Sequence, residues 1–117
     1  MLPYFVFCLP GIYPLCYAVV DSENSDNWVW FMGKLSEILV PQCRVVTIIS
    51  DRHKGLVDAV RKTFPTWPHS FCLFHIKNNI RSKLSGNKNN DIREQVVEIF
   101  TKCAYACRVS SFNRFMA

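Results

Sequence analysis

Apolar residues along the chain switch between two spacings, one typical of strands and one typical of helices. Residues 12–20 form an apolar run that stops at a polar segment, which predicts a buried strand entering a turn. Between residues 26 and 40 the apolar positions recur every three or four residues, and Asn24 or Ser25 precedes them as N-cap. A strand at residues 12–20 followed by an amphipathic helix is therefore expected.

The same alternation continues through the middle of the chain. Residues 45–49 are all β-branched, which predicts a strand covered on both sides in an α/β sheet. Apolar positions then recur at intervals of four from Leu56 to Phe64, which predicts a second helix ending before Pro65. A short strand is expected at residues 69–72, so strands and helices keep alternating.

The C-terminal part of the sequence has mainly helical spacing. A third helix is predicted over residues 76–84, with a polar loop at 86–91 after it. A fourth helix follows at residues 92–103, and a short helical tail begins at residue 111. Without repeats or a low-complexity tract, the whole pattern predicts a single α/β domain.

The composition of the chain indicates a folded protein and a preference for a negatively charged partner. Half of the 117 residues are apolar, which is enough for a folded core and argues against disorder. The net charge of +5 favours a polyanionic partner, although a basic surface is often only solvated. The uncharged first twenty residues are interrupted by Pro3, Pro10 and Pro14, so we expect neither a signal peptide nor a membrane span.

Six cysteines in a short chain raise the question of a disulfide framework. Cys16 and Cys72 lie inside apolar stretches, where a free thiol behaves as a small core residue. We therefore expect reduced thiols and an intracellular setting.

Asp51 is the residue with the clearest candidate chemistry. It follows the predicted strand 45–49 directly, and the carboxyl ends of strands are where α/β sheets bind ligands. A carboxylate at this place suits a hard cation such as Mg²⁺. The alternative is that Asp51 caps the helix that starts near Lys54, and spacing alone favours this structural role.

Several stretches in a fixed order add to this picture. They are residues 13–23, 28–31, 48–56, 64–65, 72–75 and 112–116. Together they resemble the transposase domain of Mutator-like elements (MULE), over residues 12–117, whereas residues 1–11 do not resemble it. Asp51 matches the second Asp of the family's pattern.

The resemblance implies an incomplete RNase H-like fold of the α/β class, with a central mixed sheet flanked by helices and the first strands missing. It also implies an Asp, Asp, Glu triad that binds two divalent ions, Mg²⁺ or Mn²⁺, for DNA strand cleavage and transfer. The resemblance further implies that the protein binds DNA and is located in the nucleus. Homo-oligomers or other transposase-derived proteins are further partners that the resemblance suggests.

The other two members of the triad are not recognisable. Asp21 and Glu23 end what the resemblance makes an edge strand, about 14 Å from Asp51 at roughly 4.8 Å per strand spacing. Glu94 and Glu98 are more typical of a solvated helix face. We therefore expect a transposase fragment that is inactive alone, with a non-catalytic DNA- or protein-binding module as the alternative.

Cys72 and His75 form a Cys-x-x-His pair, a spacing at which two ligands can hold one Zn²⁺, and the family shares this pair. Further ligands would have to come from His69, His53 or Cys43. The favoured alternative to a small zinc-binding domain is a buried thiol beside a hydrogen-bonded imidazole.

Basic residues cluster after the predicted strand at 45–49 and along the third helix. Arg52, Lys54, Lys77 and Arg81 are the candidates for contacts with a phosphate backbone, and simple solvation is the alternative. Trp67 is a candidate for stacking on a base, although packing under its loop is more usual. With the first strands missing, residues 4–8 are a candidate to pair beside the strand at 45–49 instead.

Overall fold

The computed structural model describes the main chain of residues 2–8, 13–86 and 90–117, and side chains from residue 13 onward within these ranges. Two compact units are present, Met1–Ser70 and Phe71–Ala117. The elements are β1 (Leu2–Cys8), β2 (Tyr13–Val20), α1 (Ser25–Leu39), a 3₁₀ turn (Val40–Gln42), β3 (Ile48–Ser50), α2 (Lys54–Thr63), β4 (His69–Phe71), α3 (Leu73–Lys83), α4 (Asn90–Ala104) and α5 (Val109–Met116).

The first two strands form an antiparallel pair. Leu2 lies opposite Val20 and Cys8 opposite Tyr13, with one irregularity in the register after Val6. The prediction that residues 4–8 pair beside the strand at 45–49 is therefore wrong. A neighbouring segment of the chain pairs at a smaller entropic cost of loop closure than a distant one, which favours the arrangement seen.

Strand β2 is covered on one face only. Val20 is buried, and Cys16 and Ala18 pack against the core from the same face. The alternate positions Tyr13 and Tyr17 are 69% and 71% exposed. The strand is where the sequence predicts it, but its second face is not covered by the described residues.

Helix α1 begins at a polar cap and buries one face. The side chain of Asn24 accepts a hydrogen bond of 2.8 Å from the main-chain N–H of Asn27, which satisfies one free donor of the first turn. Trp28 and Phe31 are buried, whereas Trp30 is 50% exposed. Only one of the two tryptophans thus enters the core, because residues two apart point to nearly opposite faces of a helix.

Helix α2 packs against α1 and completes the core of the first unit. Ala59 and Val60 are almost fully buried, and Phe64 just beyond the helix is 3% exposed. The ring of Trp67 stacks on Phe64 with centroids 4.5 Å apart. Trp67 therefore packs under its own loop, the more usual of the two alternatives.

Strand β3 is shorter and more open than predicted. It spans Ile48–Ser50, with Ile48 against the core while Ile49 is 55% exposed and Val45 71% exposed. The expected cover on both faces is wrong for the described residues. Strand β3 pairs with β4, and β1 with β2, so the described part holds two two-stranded sheets rather than one central mixed sheet.

The described residues of the second unit form three helices, and α4 contacts both α3 and α5. Val97 and Cys103 of α4 are buried. The three helices and the loop before α4 agree with the sequence pattern, although α3 begins at Leu73, earlier than expected. None of the helices in the described ranges is long and apolar enough to cross a bilayer.

Candidate functional site

Asp51 directly follows β3 and forms the turn into α2. Its Oδ1 accepts a hydrogen bond of 3.0 Å from the main-chain N–H of His53, the residue that precedes the helix. The His53 side chain itself makes no capping bond. The structural role that spacing favoured is therefore present in part, since Asp51 stabilises the turn and uses one of its two carboxylate oxygens to do so.

Ser50 links the end of β3 to β4. Its Oγ lies 2.7 Å from the main-chain oxygen of Asp51 and 2.8 Å from Nε2 of His69. The main-chain N–H of Ile48 donates to the carbonyl of Pro68 at 2.9 Å, which joins the same two segments. Burial, followed by the nearby positive charge of Arg61, lowers the pKa of His69.

The Ser50–His69 pair is not indicated by the spacing of residues along the chain. The two residues are 19 positions apart, and their pairing depends on β4 lying beside β3. The signal that could have indicated it is positional: a hydroxyl immediately before Asp51, and a histidine that opens the next predicted strand.

Glu23, after the end of β2, also reaches the neighbourhood of Asp51. Its Oε1 lies 3.9 Å from Nδ1 of His53, whose main-chain N–H is bound to Asp51. The two carboxylates thus contact the same residue, although the strand count predicted a separation of about 14 Å. The strand count assumed a single continuous sheet, which the described residues do not form.

These acidic groups nevertheless do not make up a complete cation site. Within residues 13–86 and 90–117, no three His, Cys, Asp or Glu side chains are placed to hold a metal ion. Asp51 has suitable oxygen chemistry for one ligand of Mg²⁺ or Mn²⁺. The residues described therefore fit a divalent metal as a partial ligand set, too small for the two-ion site of strand cleavage.

Cys72 and His75 are neighbours at the start of α3. The main-chain N–H of His75, and after it the imidazole, lower the pKa of the Cys72 thiol, because both stabilise the thiolate. The thiol is half-buried and is not in a disulfide. A zinc ion on this pair stays a prediction, and none of His69, His53 and Cys43 joins the pair in a three-ligand group within the described ranges.

The basic candidates differ in their surroundings. Arg52 and Lys54 are exposed beside Asp51, and Lys77 is half-buried on α3. Arg81 holds Glu94 of α4 in a two-point ion pair, with Nε to Oε1 at 2.9 Å and the second nitrogen to Oε2 at 3.0 Å. This pair raises the pKa of Arg81 and lowers that of Glu94.

The remaining acidic residues of α4 are engaged locally. Glu98 pairs with Lys102 at 2.7 Å one turn later, and this hydrogen bond lowers the pKa of Glu98. Both side chains are exposed, as expected for a solvated helix face. Neither Glu94 nor Glu98 is thus drawn toward a cation site in the described structure.

The chain is similar to known transposases. Residues 6–79 match the profile of the MULE transposase domain. The transposase for insertion sequence element IS256 in transposon Tn4001 of Staphylococcus aureus is 32% identical over 84 residues, which are 72% of this chain and 21% of that protein. The transposase for IS905 of Lactococcus lactis is 27% identical over 103 residues, 88% of this chain and 26% of that protein.

A third relative, the transposase for IS1201 of Lactobacillus helveticus, is 25% identical over 101 residues, 86% of this chain and 27% of that protein. The chain thus spans about a fifth to a quarter of the length of these relatives. No solved structure matches the chain at a significant level. The family match covers more than half of the chain and includes Asp51, Cys72 and His75. The chain belongs to the MULE transposase domain family.

Proposed function

We propose that this chain is a piece of a DNA transposase nuclease domain of the RNase H-like class that supplies one metal-binding carboxylate, Asp51, and does not cut DNA alone. The position of Asp51 carries the proposal: it stands at the carboxyl end of β3, inside the family match, with one oxygen bound to His53. No other hydrogen bond to its carboxylate occurs among the described residues, so the second oxygen is available to a cation.

The inactivity of the isolated chain follows from the number of ligands. Strand transfer by two divalent ions needs several carboxylates around both ions. The part of the chain that the structure describes offers Asp51, with Glu23 one contact away through His53. The remaining ligands would have to come from residues outside that part.

Binding to DNA is the activity that this chain can supply through its own charge. Arg52 and Lys54 are exposed and adjacent in sequence to Asp51 and His53, where they can contact the phosphates of a bound strand. In the second unit, Lys77 of α3 is a separate candidate for a phosphate contact, whereas Arg81 shares its charge with Glu94. Affinity that comes from such contacts falls steeply with salt concentration.

A gel assay and a binding assay on the same protein test the proposal. We expect supercoiled plasmid to stay intact with Mg²⁺ or Mn²⁺, while fluorescence anisotropy shows salt-sensitive binding to duplex DNA that survives Asp51→Asn. Metal-dependent nicking that Asp51→Asn abolishes would show that the chain is an enzyme by itself. Absence of binding even at low salt would remove DNA as a direct partner.

A non-catalytic binding module is the second candidate, and the incomplete ligand set favours it. It shares the DNA binding but needs no cation at Asp51, so metal binding at this residue separates the two candidates.

A zinc domain at Cys72 and His75 predicts zinc in the purified protein, which metal analysis detects directly. The nucleus stays a prediction that fluorescence microscopy of a tagged chain can check.

A further inference from the structure

The hydroxyl of Ser50 lies between two partners whose chemistry fixes the direction of both hydrogen bonds. Its Oγ is 2.7 Å from the main-chain oxygen of Asp51, and a carbonyl oxygen can only accept. The single hydroxyl proton therefore points to Asp51. Toward His69, 2.8 Å away, Oγ presents a lone pair, so Nε2 of His69 must carry the proton that it donates.

This arrangement differs from a serine nucleophile with a histidine base. In such a pair the hydroxyl donates its proton to an imidazole nitrogen that is free to accept it. Here the hydroxyl of Ser50 donates to a carbonyl, and Nε2 of His69 is the donor. The pair is therefore arranged to hold a turn in place rather than to attack a substrate.

The Ser50–His69 pair holds the turn that contains Asp51. Ser50 fixes the main-chain oxygen of Asp51, and the N–H of His53 fixes Oδ1 of its side chain. The first bond depends on β4, because His69 orients the hydroxyl from that strand. One hydrogen bond to the main chain of Asp51 and one to its side chain thus hold this residue at the start of the turn.

We propose that Ser50 and His69 are positioning residues for Asp51, with Nε2–H of His69 donating to Ser50 and Ser50 donating to the carbonyl of Asp51. The purpose of this positioning rests on the proposed function, in which Asp51 binds a divalent cation. The hydrogen-bond directions do not depend on that function and can be measured without metal or DNA.

Nuclear magnetic resonance of the imidazole nitrogens tests the directions. The chain has three histidines, and the spectrum of His69→Gln identifies the signals of His69. At about pH 7.5, where an ordinary imidazole is neutral, we expect Nε2 of His69 to be protonated and Nδ1 not. A proton on Nδ1 with a bare Nε2 would overturn the proposal, since the hydroxyl of Ser50 would then point to His69.

Substitutions of Ser50 and His69 that remove or keep a hydrogen-bond donor test whether the two residues affect cation binding at Asp51. Mn²⁺ broadens the signals of nearby amides, so a titration of the labelled chain reports a cation at Asp51 even when binding is weak. We expect Ser50→Ala and His69→Leu to need about fivefold more Mn²⁺ for half-broadening around Asp51, the size of one lost hydrogen bond. Ser50→Thr and His69→Gln keep a hydroxyl and a side-chain N–H donor and should retain the response of the parent chain.

The control is Ser70→Ala, which removes an exposed hydroxyl from the neighbouring position of β4 and should change nothing. Amide spectra show for each variant whether the fold is kept. If Asp51→Asn leaves the broadening of the parent chain unchanged, the proposed function fails while the proton positions on His69 remain valid. If Asp51→Asn removes it but Ser50→Ala and His69→Leu behave as the parent, the positioning role alone is wrong.

Discussion

Gly55 of α2 lies directly against Ser25 at the start of α1. A Cβ added to Gly55 would be 3.0 Å from both Cα and Oγ of Ser25, and 3.2 Å from its nitrogen. Two of these three atoms belong to the main chain and cannot move aside like the end of a flexible side chain. The absence of a Cβ thus permits the approach of the two helices that brings Glu23 to His53.

Gly55→Ala is therefore expected to destabilise the chain, by about 1 kcal/mol or more in urea unfolding, as crowding in packed contacts does. Gly33→Ala is the matched control, because nothing lies within 4 Å of the added Cβ in the middle of α1. That change should stabilise the chain by about 0.5–1 kcal/mol through helix propensity. Equal effects of the two substitutions would contradict the close contact.

Cys72 should react with iodoacetamide at a lower pH than an ordinary thiol. The main-chain N–H and the imidazole of His75 both favour its thiolate, against the opposing effect of burial. His75→Ala should shift the pH profile of Cys72 alkylation upward, yet not fully to the ordinary range, because the main-chain N–H remains. Mass spectrometry of the alkylated peptides measures the profile, and an unchanged profile would contradict the proposed contact.

His69 is expected to make the fold less stable as the solution becomes acidic. Its pKa in the folded chain is below the ordinary 6.5, so under mildly acidic conditions the unfolded chain binds a proton that the folded chain resists. Its contribution is fully present above about pH 6.5 and is lost as the pH falls toward and through the folded pKa. His69→Gln should therefore reduce the drop in urea midpoint between about pH 7.5 and 5.5.

Ser70→Ala is the control for this pH dependence, since it removes an exposed hydroxyl beside His69 in β4 that does not titrate, and it should leave the drop as in the parent chain. The carboxylates titrate in every variant, so the comparison rests on differences between proteins measured at both pH values. A drop of the same size in His69→Gln and in the parent chain would show that the environment of His69 does not disfavour its charge.

Glu94 should restrain the contribution of Arg81 to DNA binding. Its two-point ion pair with Arg81 competes with a phosphate for the same guanidinium group. If Arg81 contacts DNA, Glu94→Gln strengthens DNA binding at low salt more than Glu37→Gln does. Glu37→Gln is the control because it changes the net charge equally but releases Lys34 in α1 instead of Arg81. Anisotropy titrations measure both, and an equal gain would indicate that only the net charge matters.

The local elements were readable from the sequence because each depends on residues close together. The three-and-four spacing around Trp28 and Phe31 gave α1, and the spacing from Leu56 to Phe64 gave α2. The end of β3 before Asp51 was also predictable, since a β-branched run met a polar turn. These features need no knowledge of the rest of the fold.

What the sequence did not reveal are the pairings between distant segments. A β-branched run predicts an extended chain but not its cover, so the exposure of Ile49 was missed. The approach of Glu23 to His53 depends on the contact at Gly55, and the bond from His69 to Ser50 depends on β4 pairing with β3. Such contacts follow from tertiary packing, which periodicity alone does not encode.

Mn²⁺ broadening of amide signals in the labelled chain shows whether Asp51 is a cation-binding carboxylate. The matched variants are Asp51→Asn and Asp58→Asn, which remove the same charge, the second from α2 where Asp58 lies 3.7 Å from Arg61. We predict selective broadening around residues 50–54 that Asp51→Asn abolishes and Asp58→Asn preserves. Broadening elsewhere, or equal loss in both variants, would show that Asp51 does not bind the cation.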